Sequence, residues 1–313
     1  MRHKPQVPNP FNTEIDASTR YCAVYGHPIK HSASPAMQNA GIAALGLNWR
    51  YLAFEVHPDD LASAIAGAKA MKFLGLNLTV PHKLLAVGMV DIIDESAKRW
   101  GAVNTIRFET ENSDGQWVPL ARVPADAITE IRSHGFNTDA DAITRSVQED
   151  LKIELNGASI LLLGAGGAGR VAALKLAAEG VKNLFLVNRT KTKAEEIAAL
   201  IREEHPSVTV TVGYPKNSVD LLLNATSLGL RPSDASPLDA SEFSVKDAGA
   251  VYDMIYRPAE TPLLNAAKNA GCRTANGIGM LLYQGARALE LWSEKPAPIS
   301  IMRGALEKNV YQK

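Results

Sequence analysis

A short strand-like run, Ser159-Ile-Leu-Leu-Leu163, passes directly into Gly164-Ala-Gly166-Gly-Ala-Gly169 and then into Arg170-Val-Ala-Ala-Leu-Lys175. Glycines at these spacings, after a strand and before a helix, admit few folds. The first permits a tight turn, the second lets the backbone approach a pyrophosphate, and the third lets helix and strand close together. The helix N-terminus adds unpaired N–H groups and partial positive charge for an anion. Further strand-like runs follow at 183–187, 208–212, 221–224 and 251–255, with helical patterns at 170–179, 193–203 and 262–270. Strands alternating with helices predict βαβ units on a parallel sheet.

The next strand bears on which nucleotide is bound. An NAD site usually carries Asp or Glu about 20 residues on, accepting from the ribose 2′-hydroxyl. Here Asn188-Arg189-Thr190 stands at that place, with Lys191 and Lys193 close behind. No carboxylate repels a 2′-phosphate there, and a guanidinium binds one through paired N–H groups. A solvated basic loop opening a helix has the same composition. NADP is the better reading.

With 313 residues the chain predicts about two domains. Lys plus Arg is 33 and Asp plus Glu is 33, for a formal net charge of +0. Such a surface offers no global field for DNA or an anionic membrane, so no nucleic-acid partner is expected. No stretch approaches the ~20 apolar residues of a bilayer span, so no membrane partner is expected either. The N-terminus lacks the apolar core of a signal peptide, and the expected location is cytoplasmic. Cys22 and Cys272, far apart in apolar stretches, read as buried reduced thiols. No residues at metal-ligand spacing accompany them or His82, so no metal is expected.

Upstream, residues 1–19 read as a polar arm. Strands are expected at 21–25, 51–56, 73–80 and 101–108, and helices at 34–46, 58–70, 82–90 and 138–151, with a short helical stretch at 124–133. One or two helices close the chain, around 280–292 and 298–308. Polar residues stand out among these elements. Ser32 and Ser34 lie beside a helix start, where Ser34 either caps the helix or joins Ser32 in holding a carboxylate. Lys83 follows Asn77-Leu-Thr79-Val-Pro81-His82 in the first turn of an expected helix, where the macrodipole and burial both favour the neutral amine needed for proton transfer. Asn104 sits at a strand. Thr138 or Asp139 either caps the helix that follows or, in the case of Asp139, supplies a carboxylate to Lys83. No G-x-S-x-G, H-E-x-x-H or C-x-x-C occurs, which removes support for serine hydrolase, zincin and thiol-redox chemistry.

Together these segments resemble the shikimate dehydrogenase family, which includes the quinate/shikimate dehydrogenases. The resemblance rests on Gly26-His-Pro-Ile-Lys-His-Ser32-Ala-Ser34-Pro35, Asn77-Leu-Thr-Val-Pro-His-Lys83, Gly101-Ala-Val-Asn104-Thr-Ile106 and Asn137-Thr-Asp139. It continues through the glycine loop, Asn188-Arg-Thr190, Asn224-Ala-Thr226-Ser-Leu-Gly229 and Asn276-Gly277-Ile-Gly-Met280 as far as Gln284. The motifs run in family order over residues 21–290.

The resemblance implies a two-lobed α/β enzyme with a cleft between the lobes. An N-terminal α/β substrate-binding lobe would comprise residues 1–137 and 275–313, and a doubly wound Rossmann-like NADP-binding lobe residues 138–274. The implied reaction interconverts 3-dehydroshikimate and shikimate, so the partner is a cyclohexene or cyclohexane carboxylate. Carried over residue by residue, Ser32 and Ser34 bind the substrate carboxylate. Asn77, Thr79, Asn104, Asp139 and Gln284 hold ring hydroxyls, and Tyr256 matches a family tyrosine at the cleft. Lys83 is the catalytic acid/base with Asp139 as its partner. For the cofactor, the loop Gly164, Ala165, Gly166, Gly167, Ala168 and Gly169 takes the pyrophosphate, and Asn188, Arg189, Thr190 and Lys193 surround the 2′-phosphate. Ala225, Thr226 and Ser227 lie where the family's backbone passes the cofactor, with Gly277 and Met280 near the nicotinamide.

Three departures from the family pattern stand out. The segment 107–134 is longer than connections of its kind usually are; because it leads into Asp139, it is expected to border the cleft and alter substrate choice. Ala140 follows Asp139 where glycine is common in the family. The arm at 1–19 is additional and is read as an oligomer contact, which makes a homodimer the expected assembly. Ser34 and Thr79 match the shikimate-using pattern, with quinate or aminoshikimate as alternative substrates. A rival of another class is a catalytically silent ligand sensor, which the fold alone does not exclude; the presence of both Lys83 and Asp139 argues against it. A methylenetetrahydrofolate dehydrogenase is a second rival, disfavoured by the Ser32/Ser34 pair and Asn137-Thr-Asp139.

Overall fold

The computed structural model describes residues 15–231 and 233–312, and residues 1–14 of the expected arm lie outside the described residues. In chain order the first elements are β1 (Arg20–Gly26), α1 (Ser34–Ala44), β2 (Trp49–Glu55), α2 (Leu61–Ala70), β3 (Gly75–Leu78), α3 (His82–Leu85), β4 (Ile92–Ile93) and α4 (Glu95–Trp100). There follow β5 (Thr105–Glu111), β6 (Trp117–Pro119), β7 (Arg132–Phe136), α5 (Asp139–Leu151), β8 (Ser159–Leu163), α6 (Gly167–Ala178), β9 (Asn183–Val187), α7 (Lys191–Glu204) and β10 (Thr209–Val212). The last are β11 (Val219–Asn224), β12 (Ala248–Asp253), α8 (Pro262–Asn269), β13 (Arg273–Asn276), α9 (Ile278–Ser293) and α10 (Ile299–Tyr311). No helix among the described residues is long and apolar enough to cross a membrane.

The chain divides into two units. The first comprises Met1–Asp94, Val103–Phe136 and Gly285–Asn309; the second comprises Glu95–Ala102, Asn137–Gln284 and Val310–Lys313. In the first unit a mixed sheet runs β2-β1-β3-β5-β7-β4, with β6 paired to β5. β1 lies parallel to both β2 and β3, and β5 runs antiparallel to its neighbours. The C-terminal ends of β1, β3 and β7 therefore point the same way as the start of β5. That arrangement brings Gly26, Leu78, Thr105 and Phe136 to one end of the sheet.

The chain's last helices complete this unit's core. The Trp292 ring is fully buried, and its Nε1 donates to the Ile106 carbonyl at 2.9 Å. A Cβ on Gly75 would stand 2.0 Å from that nitrogen, so only glycine lets the indole reach β5. Gln38 Nε2 donates to the Gly285 carbonyl at 2.9 Å and ties α1 to α9.

The second unit is the doubly wound half. Its six parallel strands run β10-β9-β8-β11-β12-β13, so strand order reverses between β8 and β11. Helices cover both faces of such a sheet, which explains why β8 is almost uniformly apolar and buried. Leu161, Leu163, Leu222, Val251, Leu263 and Phe243 form one of its cores.

The long segment 107–134 departs from expectation in two ways. Residues 124–133 do not form a helix: after a single turn at Ala125–Ala127 the chain enters β7, because pairing with β5 claims residues 132–136. Nor does the segment border the sheet end that carries Ser32, Ser34 and Asn77. β6 pairs with the far end of β5, at Glu109–Glu111. Arg20, at the opposite end of β1 from Gly26, donates to the Leu120 carbonyl at 2.8 Å, and Lys72 donates to that of Ala125 at 2.8 Å. Arg122 pairs with Glu294. Within its unit the insertion braces the sheet end remote from those residues.

Glu109 sits at the root of that insertion, 1% exposed, bonded to Arg107, Arg132 and His134. Burial raises its pKa, but the hydrogen bonds from His134, Arg107 and Arg132 outweigh burial and hold it at about 2. A carboxyl depressed on folding adds stability above its unfolded pKa and loses it as pH falls toward the folded value. Glu109 is thus expected to contribute up to about 3 kcal/mol at neutral pH, at about 1.4 kcal/mol per pKa unit. Urea unfolding of wild type and Glu109→Gln should differ most at pH 7, and the gap should shrink between about pH 4.5 and pH 2.

Candidate functional site

In the second unit, the glycine loop, the loop after β9 and the loop after β11 meet where strand order reverses. Gly164 has φ +107°, and a Cβ on it would lie 3.0 Å from the Ala225 carbonyl group. A Cβ on Gly169 would stand 2.2 Å from the Gly164 carbonyl oxygen, so the third glycine lets α6 close on β8. Around Gly166 nothing lies within 4 Å of such a Cβ, which leaves the backbone open to a bulky anion at the α6 N-terminus. Ala165, Gly167 and Ala168 are half-buried beside it. Asn188 links two of the loops: its Oδ1 accepts from Ala165 N at 3.0 Å and its Nδ2 donates to the Thr190 carbonyl at 2.8 Å. Its amide is spent on shaping the turn, while Arg189, Thr190 and Lys193 are exposed with no acidic side chain from 188 to 193. The residues present fit a dinucleotide with a phosphorylated ribose.

The loop after β11 is anchored from beneath. Asn224 Oδ1 accepts from both the backbone N and the hydroxyl of Thr226, at 3.0 and 2.8 Å, and Thr226 Oγ1 accepts from Leu228 N. Asn224 Nδ2 donates to Asp253 Oδ1 at 3.0 Å. Asp253, fully buried, also accepts from Ile255 N at 3.0 Å and from the Thr261 hydroxyl at 2.7 Å. One carboxyl group therefore holds the loop with Ala225, Thr226 and exposed Ser227 and the loop with half-buried Tyr256. Gly277 docks on the same loop: its N donates to the Ile255 carbonyl, and a Cβ there would stand 2.0 Å from the Met254 oxygen. Asn276 Oδ1 then caps α9 through Ile278 N, fixing buried Met280 and Gln284 along the helix. Gln284 Nε2 donates to the Leu281 carbonyl at 2.8 Å.

Asp139 opens α5 and is buried. Neither it nor Thr138 caps the helix. Asn137 does so: its Oδ1 accepts from Asp139 N and Ala140 N, each at 3.1 Å, and its Nδ2 donates to the Ala102 carbonyl at 2.9 Å. Sequence spacing alone assigns this residue no role.

In the first unit Ser34 is not a cap either. It is the first helical residue of α1, with no side-chain capping bond, and its N donates to Ser32 Oγ at 3.3 Å. Its hydroxyl stands beside the phenol of Tyr51 and acts to lower a pKa that burial raises. Tyr51 donates to Asn77 Oδ1 at 2.7 Å. Asn77 Nδ2 donates to Thr105 Oγ1 at 3.0 Å, and Thr105 donates to Asn104 Oδ1 at 3.3 Å. Two expected ligands, Asn77 and Asn104, are thus joined in one buried network by two residues the sequence did not single out. Tyr51 reads as an apolar strand residue and Thr105 as a β-branched one; neither spacing nor composition marks their hydroxyls.

Thr79 is half-buried after β3, and its N donates to the Tyr25 carbonyl at 2.9 Å. Lys83 is half-buried, and its carbonyl accepts from Val103 N at 2.9 Å, which fixes its main chain beside Asn104. The expected helix 82–90 is a four-residue turn, His82–Leu85, followed by a tighter turn at Ala86–Gly88, so a macrodipole contributes little at Lys83. His82 is buried, and burial pushes its pKa down. Lys83 belongs to the first unit and Asp139 to the second.

Three family models match the chain: the shikimate dehydrogenase substrate binding domain over residues 24–106, shikimate / quinate 5-dehydrogenase over 145–227, and the shikimate 5′-dehydrogenase C-terminal domain over 277–307. The chain is 40% identical over 304 residues to the shikimate dehydrogenase (NADP(+)) of Moorella thermoacetica, covering 94% of this chain and 95% of that one. The shikimate 5-dehydrogenase of Thermus thermophilus, solved in complex with NADP(H) and shikimate, is 34% identical with a TM-score of 0.74, over 92% of this chain and 99% of that one. The ligand-free 5-ketofructose reductase of Gluconobacter sp. strain CHM43 is 32% identical with a TM-score of 0.75, over 94% and 100% respectively.

Proposed function

The chain belongs to the shikimate dehydrogenase family, and from that premise we propose that it oxidises shikimate to 3-dehydroshikimate and catalyses the reverse reduction, with NADP as its cofactor. The observation that carries the substrate assignment is the buried polar network of Asn77 and Asn104, with buried Ser34 beside Tyr51, at the sheet end where β1 and β3 finish, which suits a polyhydroxylated ring acid. A 5-ketofructose has no carboxylate for the Ser32 and Ser34 hydroxyls to meet, so the serine pair favours the acid.

In this proposal Ser32 and Ser34 donate to the carboxylate. Asn77, Thr79, Asn104, Tyr256 and Gln284 orient the ring hydroxyls. Bound NADP supplies the nicotinamide that exchanges the hydride. Lys83 Nζ takes the proton from the reacting hydroxyl in oxidation and returns it in reduction, and Asp139 is the second catalytic group. At the cofactor, the open backbone at Gly166 takes the pyrophosphate, while Arg189, Thr190 and Lys193 take the 2′-phosphate. Ala225, Thr226, Ser227, Gly277 and Met280 line the nicotinamide side.

Incubation of NADP or NAD with shikimate or quinate, and of NADPH or NADH with 5-ketofructose, each followed by the gain or loss of absorbance of the reduced nicotinamide, tests the assignment. Fastest turnover is expected with shikimate and NADP. Ligand binding without turnover on any of them would overturn it in favour of a sensor. Arg189→Ala is expected to raise KM for NADP about 10-fold or more while leaving KM for NAD nearly unchanged, since only NADP presents the dianion to the guanidinium.

A further inference from the structure

We propose that Tyr51 and Thr105 are positioning residues for substrate specificity: their hydroxyls hold the Asn77 and Asn104 amides in the single orientation that recognises the ring. The proposal rests on the assignment of Asn77 and Asn104 to ring hydroxyls.

The two ends of a carboxamide are nearly the same shape, so packing alone does not choose between them; only the polarity of the partners does. At Asn77 the partners differ in polarity. The phenol of Tyr51 gives its one proton to Oδ1, at 2.7 Å. On the other side the Asn104 carbonyl, 3.4 Å from Nδ2, is able only to accept. A flip would set Oδ1 against that carbonyl. Thr105 passes the same sense onward, receiving from Asn77 Nδ2 and donating to Asn104 Oδ1. The Asn77 amide is therefore fixed before any ligand arrives, and Thr105, whose acceptor side already receives from Asn77, biases the Asn104 amide in the same sense. Buried polar groups in such a chain reinforce one another and resist rearrangement.

Tyr51 is itself rigidly mounted. Its N donates to Asn39 Oδ1 at 2.9 Å and its carbonyl accepts from Asn39 Nδ2 at 2.8 Å, which bind the strand to α1. Its ring lies 6.1 Å from that of Trp292. Burial pushes the phenol pKa well above its usual value, so the group stays a donor. A tyrosine serving the core alone has no need to end on an amide that faces substrate.

Tyr51→Phe removes one oxygen and keeps the ring. KM for shikimate is expected to rise about tenfold, the scale of one lost hydrogen bond, with KM for NADP unchanged and kcat within about twofold. Thr105→Val should act in the same direction, and Thr105→Ser, which keeps the hydroxyl, should restore the wild-type value. The double variant Tyr51→Phe/Thr105→Val should fall short of the product of the two single effects, because both act through the same pair of amides. A wild-type KM for shikimate in Tyr51→Phe, an equal rise in KM for NADP, or strictly multiplicative effects would each overturn the proposal. If Tyr51→Phe does not fold, the contrast between Thr105→Val and Thr105→Ser decides alone. Wild-type turnover of shikimate is measured first and tests the functional assignment separately; without turnover, calorimetric Kd values for shikimate compare the same variants.

Discussion

Replacing Lys83 by alanine is expected to lower kcat about 10³-fold while leaving the Kd for shikimate within about threefold, the usual scale for removing a general acid/base group. The separation of the two effects follows from how the residue is mounted. The main chain at Lys83 is fixed by the bond from Val103 N to its carbonyl, which survives truncation of the side chain. The bonds from Tyr51 to Asn77 and from Asn77 to Thr105 run between side chains other than the lysine's and survive its truncation. Substrate recognition should thus persist after the proton carrier is gone. Single-turnover and steady-state rates with both shikimate and 3-dehydroshikimate, set beside calorimetric Kd values, give the split. Turnover at the wild-type level would remove Lys83 from the chemistry.

Asp253→Ala is expected to cost the second unit about 3–5 kcal/mol. Three donors, Asn224 Nδ2, Ile255 N and the Thr261 hydroxyl, converge on this one buried carboxyl group. Truncation strands all of them, and an unpaired buried donor costs about 1–3 kcal/mol. Asp253→Asn keeps the shape and one acceptor oxygen, so it should cost markedly less. Thermal unfolding and amide hydrogen exchange in 219–229 and 248–261 compare the two. Loss of protection should begin in those loops, because the carboxyl group is what joins them. An alanine variant as stable as wild type would show that these loops are held by other contacts.

The doubly wound half is legible in the sequence because its constraints are local. The strand, three glycines and helix at 159–175 fall within one short stretch of chain; the first and third glycines meet the neighbours their spacing implies, and the second stays open. The mixed sheet is less legible. The apolar run 73–80 yields only four strand residues, Gly75–Leu78, because Thr79 onward leaves the sheet to form the loop that carries Lys83. Residues 124–133 have helix-forming composition, yet β5 takes 132–133 into a strand. Capping is hard to place for a related reason: serine, threonine and aspartate at a helix start are all competent caps, and only the folded chain shows that Asn137 serves α5 while α1 has no side-chain cap. Tyr51 and Thr105 lie beyond any local signal, since each meets Asn77 across a long stretch of chain, at separations of 26 and 28 residues.

The seating of Trp292 against Gly75 sets an order of events during synthesis. Chains emerge from the ribosome N-terminus first, and domains generally fold as units when their residues are out. Every strand of the second unit ends by Asn276, so its sheet is complete while α10 is still unmade. The first unit must wait for α9, because until residue 292 arrives the space over Gly75 is open and the Ile106 carbonyl lacks its indole donor. The nascent chain thus carries an unfinished first half while its middle matures, and a truncation just before the final helices would strand that half without its keystone.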